Sequence, residues 1–470
     1  MPTTPITCAI SCIRWTALCA AASLLYGCRS YQPAPLALDE TERAFLVRSV
    51  DGPSLAEFSA QLAVHAPEAG AFDAADGLSL AEAEAVALVL NRELRAARLA
   101  AGVTRATAEN AGLWRDPTLG VDLSKVVGGV GGSVEAMFSL GFTLPLSGRL
   151  DAERARADAA HRAELARVAA EEWRVIAELR RAWAHRTALV AEAAAARDVL
   201  VRVGQVVAVV DRMEAAGEIA RIEARLLKIE DATLRAELRA LDAEVSRATH
   251  DIESILALPP RADRLLDADF AAFAPLGREP QAALQARIAQ TSPALGLARA
   301  RHELAEHRLA EEIRATWPDL ELAPGFGEDN GDRQAVLGIG VTLPVLDGNR
   351  RGIAEAEAAR ALARGEAEST YEQLLGDLMS AEERLASALA QREMLETTLV
   401  PLVDLQYAEA REVARLGEVN TLILLESLKQ QLDAKRQLIA ARRDEAIAAT
   451  DIAAIAGPAA AAPRPEGTEP

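Results

Sequence analysis

The sequence predicts a mainly helical protein with a smaller β portion, built as two tandem copies of one unit. Three observations lead there. Of the 470 residues, 50% are hydrophobic and 26% charged but only 4% aromatic. Ala, Leu, Glu and Arg dominate, which is the composition of long helices and coiled coils rather than of an ordinary globular core. Four landmarks recur in the same order about 200 residues on. Ala97-Arg98 returns as Ala298-Arg299, and Trp114 before Pro117 as Trp317 before Pro318. Thr143-Leu144-Pro145-Leu146 returns as Thr342-Leu343-Pro344-Val345, and Gly217-Glu218-Ile219 as Gly417-Glu418-Val419. Finally, no proline falls between Pro145 and Pro259, a span far beyond an average globular helix.

All four cysteines, Cys8, Cys12, Cys19 and Cys28, lie in the first 28 residues. Residues 15–25 are apolar and follow Arg14. The run is too short for a stable transmembrane helix and reads as the core of a signal peptide over 1–27. It ends in Leu25-Tyr26-Gly27-Cys28, which resembles a lipobox. That resemblance implies cleavage before Cys28 and a lipid, such as palmitate, on the new terminus. An ordinary signal peptide with an incidental Cys28 is the alternative. Arg29 stands where an aspartate often marks retention at the inner membrane, so the outer membrane stays open.

A lipid-anchored segment over 28–77 then leads into the two copies, 78–258 and 277–457, joined by a linker at 259–276. In the first copy, 78–113 lacks proline and reads as one helix. Leu119, Val121 and Leu123 alternate with Gly120, Asp122 and Ser124, giving a strand near 117–126. After the Gly-rich run 128–132, a second alternation gives a strand near 134–146. The second copy has strands near 319–327, interrupted by Pro324, and near 335–346, with a polar loop at 328–333 between them. Long helical hairpins follow at 149–257 and 350–456, broken at Gly217 and Gly417, with a kink expected at Pro401. A helix from residue 149 to about 214 measures roughly 100 Å and needs neighbours alongside, as in a coiled coil. The Pro- and Ala-rich tail 458–470 is expected to be disordered.

Strands of this length span a bilayer when tilted. Four of them cannot close, and an open sheet in lipid leaves backbone groups unpaired. Three copies give a closed barrel of twelve strands with one face to water and one to lipid. Trp114 and Trp317 sit where strands begin, as interface anchors or as core residues.

These marks together resemble the TolC-like outer-membrane efflux family, in its lipoprotein branch. The residues carrying the resemblance begin with Leu80, Asn91-Arg92-Glu93-Leu94 and Ala96-Ala97-Arg98. Asp116-Pro117-Thr118-Leu119, Leu144-Pro145-Leu146-Ser147-Gly148-Arg149 and the second-copy partners, including Ser292-Pro293-Ala294-Leu295, complete it. Cys28 followed by Tyr31 and Pro33 looks like the acylated start of that branch. The resemblance spans about residues 28–457 and implies a homotrimer in the bacterial outer membrane, whose β-barrel continues as a periplasmic α-helical tunnel. It implies an exit duct for a tripartite efflux pump. The partners would be a periplasmic adaptor (membrane fusion protein) and an inner-membrane pump of the RND type. It places adaptor-docking tips at Ala216, Gly217 and Glu218 and at Leu416, Gly417 and Glu418. A periplasmic gate is implied at Glu223 and Glu426, with Ile423 where the best-known family pattern has an aspartate.

Other chemistries find little support. The formal net charge of -19 argues against nucleic acid, whose phosphates need clustered Lys and Arg. It suits an acidic duct or a solvated surface. His302 and His307 are five apart, too far round a helix to share a metal as i,i+4 histidines do. Glu328, Asp329 and Asp332 lack the full ligand spacing of a calcium loop. No nucleophile triad or phosphate loop emerges, so the reading is of a protein that is not an enzyme and needs no cofactor. A periplasmic adaptor, or a coiled-coil scaffold lipoprotein without a pore, is the alternative. Two hairpins each preceded by a strand pair argue against the first, and the alternating strands against the second.

Overall fold

A computed structural model describes residues 31–50, 77–125, 134–261, 266–273, 279–329, 332–415 and 421–458, with Gly52, Leu55, Glu57 and Phe58. The expected signal peptide, Cys28, most of the tail and the second tip, Leu416 to Glu418, lie outside the described residues. The chain divides into two units, 1–48 and 49–470. In the first, helix α1 (Leu38–Leu46) buries none of its side chains.

The second unit begins with α2 (Leu80–Leu90) and α3 (Arg92–Glu109), then β1 (Thr118–Lys125), β2 (Val134–Leu144), α4 (Arg149–Ala216) and α5 (Arg221–Ile255). The same order follows again as α6 (Gln281–Thr291), α7 (Pro293–Arg314), β3 (Leu320–Asp329), β4 (Asp332–Val341), α8 (Arg350–Met394), α9 (Val400–Arg415) and α10 (Thr421–Ala456). Between the two series, Phe270–Phe273 form a short 3-10 turn, and Leu266 makes a parallel bridge to Leu78.

The single helix expected over 78–113 is broken at Asn91. Its backbone leaves helical geometry, its side chain accepts hydrogen bonds from the Glu93 and Leu94 amides, and its Nδ2 donates to the Ile255 carbonyl at 2.8 Å. An N-cap of this kind starts a new helix in a new direction. The corresponding break in the second series falls at Ser292, with Pro293 opening α7. Proline suits that first position because its missing N–H has no helical partner there.

Helix α4 runs 68 residues without a break, about 100 Å at the usual rise. It packs against α5, α7 and α10. Its counterpart in the second hairpin is divided. Leu395–Leu399 form a π turn between α8 and α9, and Pro401 is the second residue of α9. The expected irregularity therefore lies just before the proline rather than on it. Pro401 has no N–H to donate to the preceding turn and its ring crowds that turn, so the ladder widens there. Glu396, inside the π turn, accepts from Arg392 at 2.9 Å and from Arg442 of α10 at 2.7 Å.

Successive clusters of buried side chains join the helices. One centres on Trp183, Leu179, Ile252 and Leu258, with Val86 of α2 and Phe273 of the turn. Another holds Leu378, Ala381, Leu284 and Ile452. A third joins Val199 and Val203 to Leu234, Leu428 and Leu432. Alanines fill many of the remaining buried positions, which lets long helices approach closely along their length. Arg186 is buried against the Thr249 hydroxyl and the Leu266 and Asp267 carbonyls, and burial pushes its guanidinium below the usual value.

Candidate functional site

The four strands form one antiparallel sheet in the order β1-β2-β3-β4. The β2–β3 register matches Ser139 with Gly325 and Phe142 with Leu322, but the two pairs between them drop out of the ladder at Pro324. Proline has no N–H to give there. The strand nevertheless continues through it, and Pro324 pairs with Leu337 on its other side. The polar loop expected at 328–333 is tighter than its composition suggested, since Asp329 pairs directly with Asp332. Strands β2 and β4 end at Leu144 and Val341, ahead of the expected 146 and 346. Pro145 and Pro344 follow and cannot donate to a ladder.

Register fixes the two faces. Leu119, Val121 and Leu123 align with Leu140, Phe138 and Ala136. Phe138 and Phe142 align with Phe326 and Leu322, and Leu322 and Pro324 with Ile339 and Leu337. This face is apolar across all four strands, and no described residue covers it. Leu123 is 70% exposed, Phe138 53% and Ile339 65%. The opposite face carries Thr118, Gly120, Asp122 and Ser124, then Ser139, Gly141 and Thr143, then Gly325, Gly327, Gly338 and Gly340. Met137 and Val336 are its larger apolar members. Several of these glycines make room for a polar neighbour. A Cβ on Gly120 would stand 2.5 Å from Ser139 Oγ, and one on Gly141 2.5 Å from Thr118 Oγ1. The hydroxyls therefore lie along the wall instead of standing out from it.

An uncovered apolar face of this extent marks a surface that meets another apolar phase. Among the described residues the outer edges of β1 and β4 have no ladder partner, so each edge is a template for a further strand. Trp114 and Trp317, at the helix end of the sheet, are 63% and 65% exposed. Neither is a core residue of this chain. Arg149, the first residue of α4, reaches Asp319 beside β3 at 3.4 Å and ties sheet to helices. No described helix is long and apolar enough to cross a membrane.

The far end of the first hairpin turns at Gly217. Its φ of 76° is left-handed, the conformation glycine adopts without the Cβ penalty. The Gly217 amide donates to the Glu214 carbonyl and the Glu218 amide to Met213, closing α4 as a Schellman motif. Ala216, Gly217 and Glu218 are exposed. Beneath them Val210, Ala224 and Leu227 form a small core, with Leu425 of α10 packed against it. Lys228 bridges Asp211 and Glu214 across the hairpin.

The two carboxylates expected at a gate sit differently. Glu223 is half-buried in the first turn of α5. Glu426 is exposed on α10 and accepts from Gln430 at 2.9 Å. Ile423 is exposed one turn before it. The structure does not bring the two glutamates into a shared hydrogen bond or ion pair. Sequence reasoning missed one feature here: Ile222, Leu226 and Ile229 stand exposed along one side of α5 beside the tip. Their i, i+4, i+7 spacing was the available signal, and Ala224 and Leu227 occupy the buried side. No group of three metal-ligating side chains occurs among the described residues.

This chain has the fold of bacterial outer-membrane channel proteins. The likeness is in structure, since no family model matches the sequence and no curated protein matches it significantly. VceC, an outer membrane protein of Vibrio cholerae, superposes with a TM-score of 0.66 at 18% identity, covering 80% of this chain and 96% of its own. The Campylobacter jejuni outer membrane channel CmeC gives 0.66 at 14% identity, over 81% and 86%. CusC, whose structures concern folding and transmembrane channel formation, gives 0.68 at 15% identity, over 80% and 92%.

Proposed function

We propose that this protein is the outer-membrane exit duct of a tripartite efflux pump. One observation carries the reading: a four-stranded sheet, bare and apolar on one face, small and polar on the other, with both edges open. Such a sheet needs lipid against one face and further strands at its edges. Three copies close it into a barrel of twelve strands, an even number with room for a lumen. The two element series are copies of one unit, so each subunit contributes four strands and two hairpins. The hairpins, whose longer arms run about 100 Å, extend into the periplasm as a tunnel. The solved channels of the same fold support this reading.

The remaining roles are those that the resemblance to the efflux family implies. Ala216, Gly217 and Glu218, with Leu416, Gly417 and Glu418, dock a periplasmic adaptor bound to an inner-membrane pump of the RND type. Glu223 and Glu426 line the tunnel end as a gate. Cys28 carries the lipid anchor, and a Cys28→Ser chain that still takes up a fatty-acid label would refute that. Assembly is tested by native mass spectrometry of protein extracted from outer membranes in mild detergent. The expected species is a trimer; a stable monomer would contradict the barrel.

A further inference from the structure

We infer that the pocket where α7 opens and α10 ends binds an organic monoanion with an aromatic body. The inference goes beyond the duct reading and does not depend on it. Helix α7 runs along the sheet-side half of α4, where Arg156 pairs with Glu311 and Arg162 with Glu303. Helix α10 runs along the far half, where Arg181 meets Asp451 and Arg202 meets Gln431. Both also pack on α8. The two helix ends come together at Thr291, whose hydroxyl donates to the Ala456 carbonyl at 3.3 Å. Beside this junction lies a pocket of about 570 Å³, within the size range of small-molecule sites.

Its walls follow from helical spacing. Trp173 and Arg181 stand along one side of α4, Asp377 and Arg384 along one side of α8, and Asp451 and Ile455 along one side of α10. All come from one chain, so the pocket needs no second copy to form.

One part of the pocket is built for a negative group. Asp451, 13% exposed, accepts from Nε of Arg181 at 2.8 Å and pairs with Nη1 of Arg384 at 3.1 Å. Two guanidinium groups therefore share one carboxylate, and one positive charge is left over. Arg384 Nε donates to the Ser380 carbonyl. Both Nη atoms of Arg181 and Nη2 of Arg384 have no partner among the described residues. Guanidinium N–H groups of this kind match the paired oxygens of a carboxylate or sulfonate. Arg174 borders the same pocket, but Glu93, Glu171 and Glu178 already hold it.

The rest of the pocket suits an aromatic body. Trp173 is only partly buried, and with Ile455 it offers an apolar bed on which another ring can stack. Asp377 lies seven residues before Arg384, about 10 Å along α8. It makes no hydrogen bond or ion pair among the described residues, so it repels a second negative group and favours a monoanion.

The test is calorimetric titration of 2-naphthoate into the full-length protein in lipid nanodiscs, with empty discs as the blank. Wild type should bind saturably, and 2-naphthamide, with the same rings but no charge, should bind about tenfold more weakly. Arg181→Gln and Arg384→Gln should each weaken 2-naphthoate about tenfold, and each leaves Asp451 one arginine to keep the fold. Trp173→Leu should weaken it severalfold. Asp377→Asn should tighten it, by a margin that shrinks as salt is raised. No saturable heat above the empty discs, equal affinity for 2-naphthamide, or an unchanged affinity in both arginine variants would overturn the inference. None of these results bears on the trimer mass, so the duct reading stands or falls separately.

Discussion

Phe138 and Trp183 are both large, apolar and set in regular structure, yet Phe138 is 53% exposed and Trp183 only 1%. The contrast runs through much of both regions, with Ile222, Leu226 and Ile229 beside the tip as exposed exceptions in the hairpins. In the hairpins, apolar side chains turn inward and meet across helices, as Leu378, Val210 and Ile252 do. In the sheet they turn outward along every strand, and no described residue covers them. One chain cannot satisfy both patterns in one solvent. The hairpins follow the rule for water, where burial of apolar surface drives folding. The sheet follows the rule for lipid, where the apolar surface needs no cover and only the backbone must be paired.

The largest effect expected from this contrast lies in the hairpins. Trp183→Ala should cost about 3–5 kcal/mol, because it empties a site enclosed by Leu179, Ile252 and Val86. The loss should appear as a lower melting midpoint of the helical circular-dichroism signal in detergent.

The next test breaks the sheet's side of the comparison. Phe138→Arg places a charge on the face assigned to lipid and should cost about 2–4 kcal/mol near the bilayer midplane. Ser139→Arg, one residue on and on the opposite face, should be far milder. Folding yields into lipid vesicles should separate the two variants. Equal yields would remove the distinction between the faces.

At the tip the expected effect is smaller and of another kind. Nothing lies within 4 Å of a Cβ added at Gly217, but its φ is 76°. Gly217→Val therefore suffers from backbone strain rather than a clash, at about 1 kcal/mol or somewhat more. The outer-membrane trimer level should hold while efflux falls in the Gly217→Val, Gly417→Val double variant. Normal efflux would end the docking assignment.

The smallest effect concerns Glu192 on α4. Burial raises its carboxyl above the ordinary value, outweighing the pull of Arg436 and Arg443. An acid raised in this way destabilises the fold once pH exceeds its unfolded value, because the folded state then resists ionisation. Glu192→Gln should therefore be more stable than wild type at neutral pH, by under about 1 kcal/mol. The gap should close as pH falls through the ordinary carboxylate range, which paired melts across pH would reveal.

The sheet and the long helices were legible because each obeys a period. Leu119, Val121 and Leu123 alternate at two residues, and helix formers run unbroken from Arg149. Gly217 was legible as a turn for its conformational freedom. The break at Asn91 was not, because its cause is a side chain capping two local amides and reaching Ile255, far along the chain. Nor was the displacement of the Pro401 irregularity into Leu395–Leu399, which depends on how the proline ring is accommodated and on where Glu396 meets Arg442. Pro324 read as a break but sits within β3, because the strand keeps its pairing with β4 on the other side. For the gate, single acidic positions were read from a resemblance, and sequence spacing alone does not bring Glu223 and Glu426 together.

The central claim is that the bare face of the sheet meets lipid while the opposite face lines water. Single nitroxide labels at consecutive positions 136–142 of β2, in protein reconstituted into bilayers, test it most directly. Collisions with dissolved oxygen should peak at Phe138, Leu140 and Phe142, and collisions with a water-soluble nickel chelate at Met137, Ser139 and Gly141. Water-like accessibility at all seven positions, or an alternation of the opposite phase, would contradict the account.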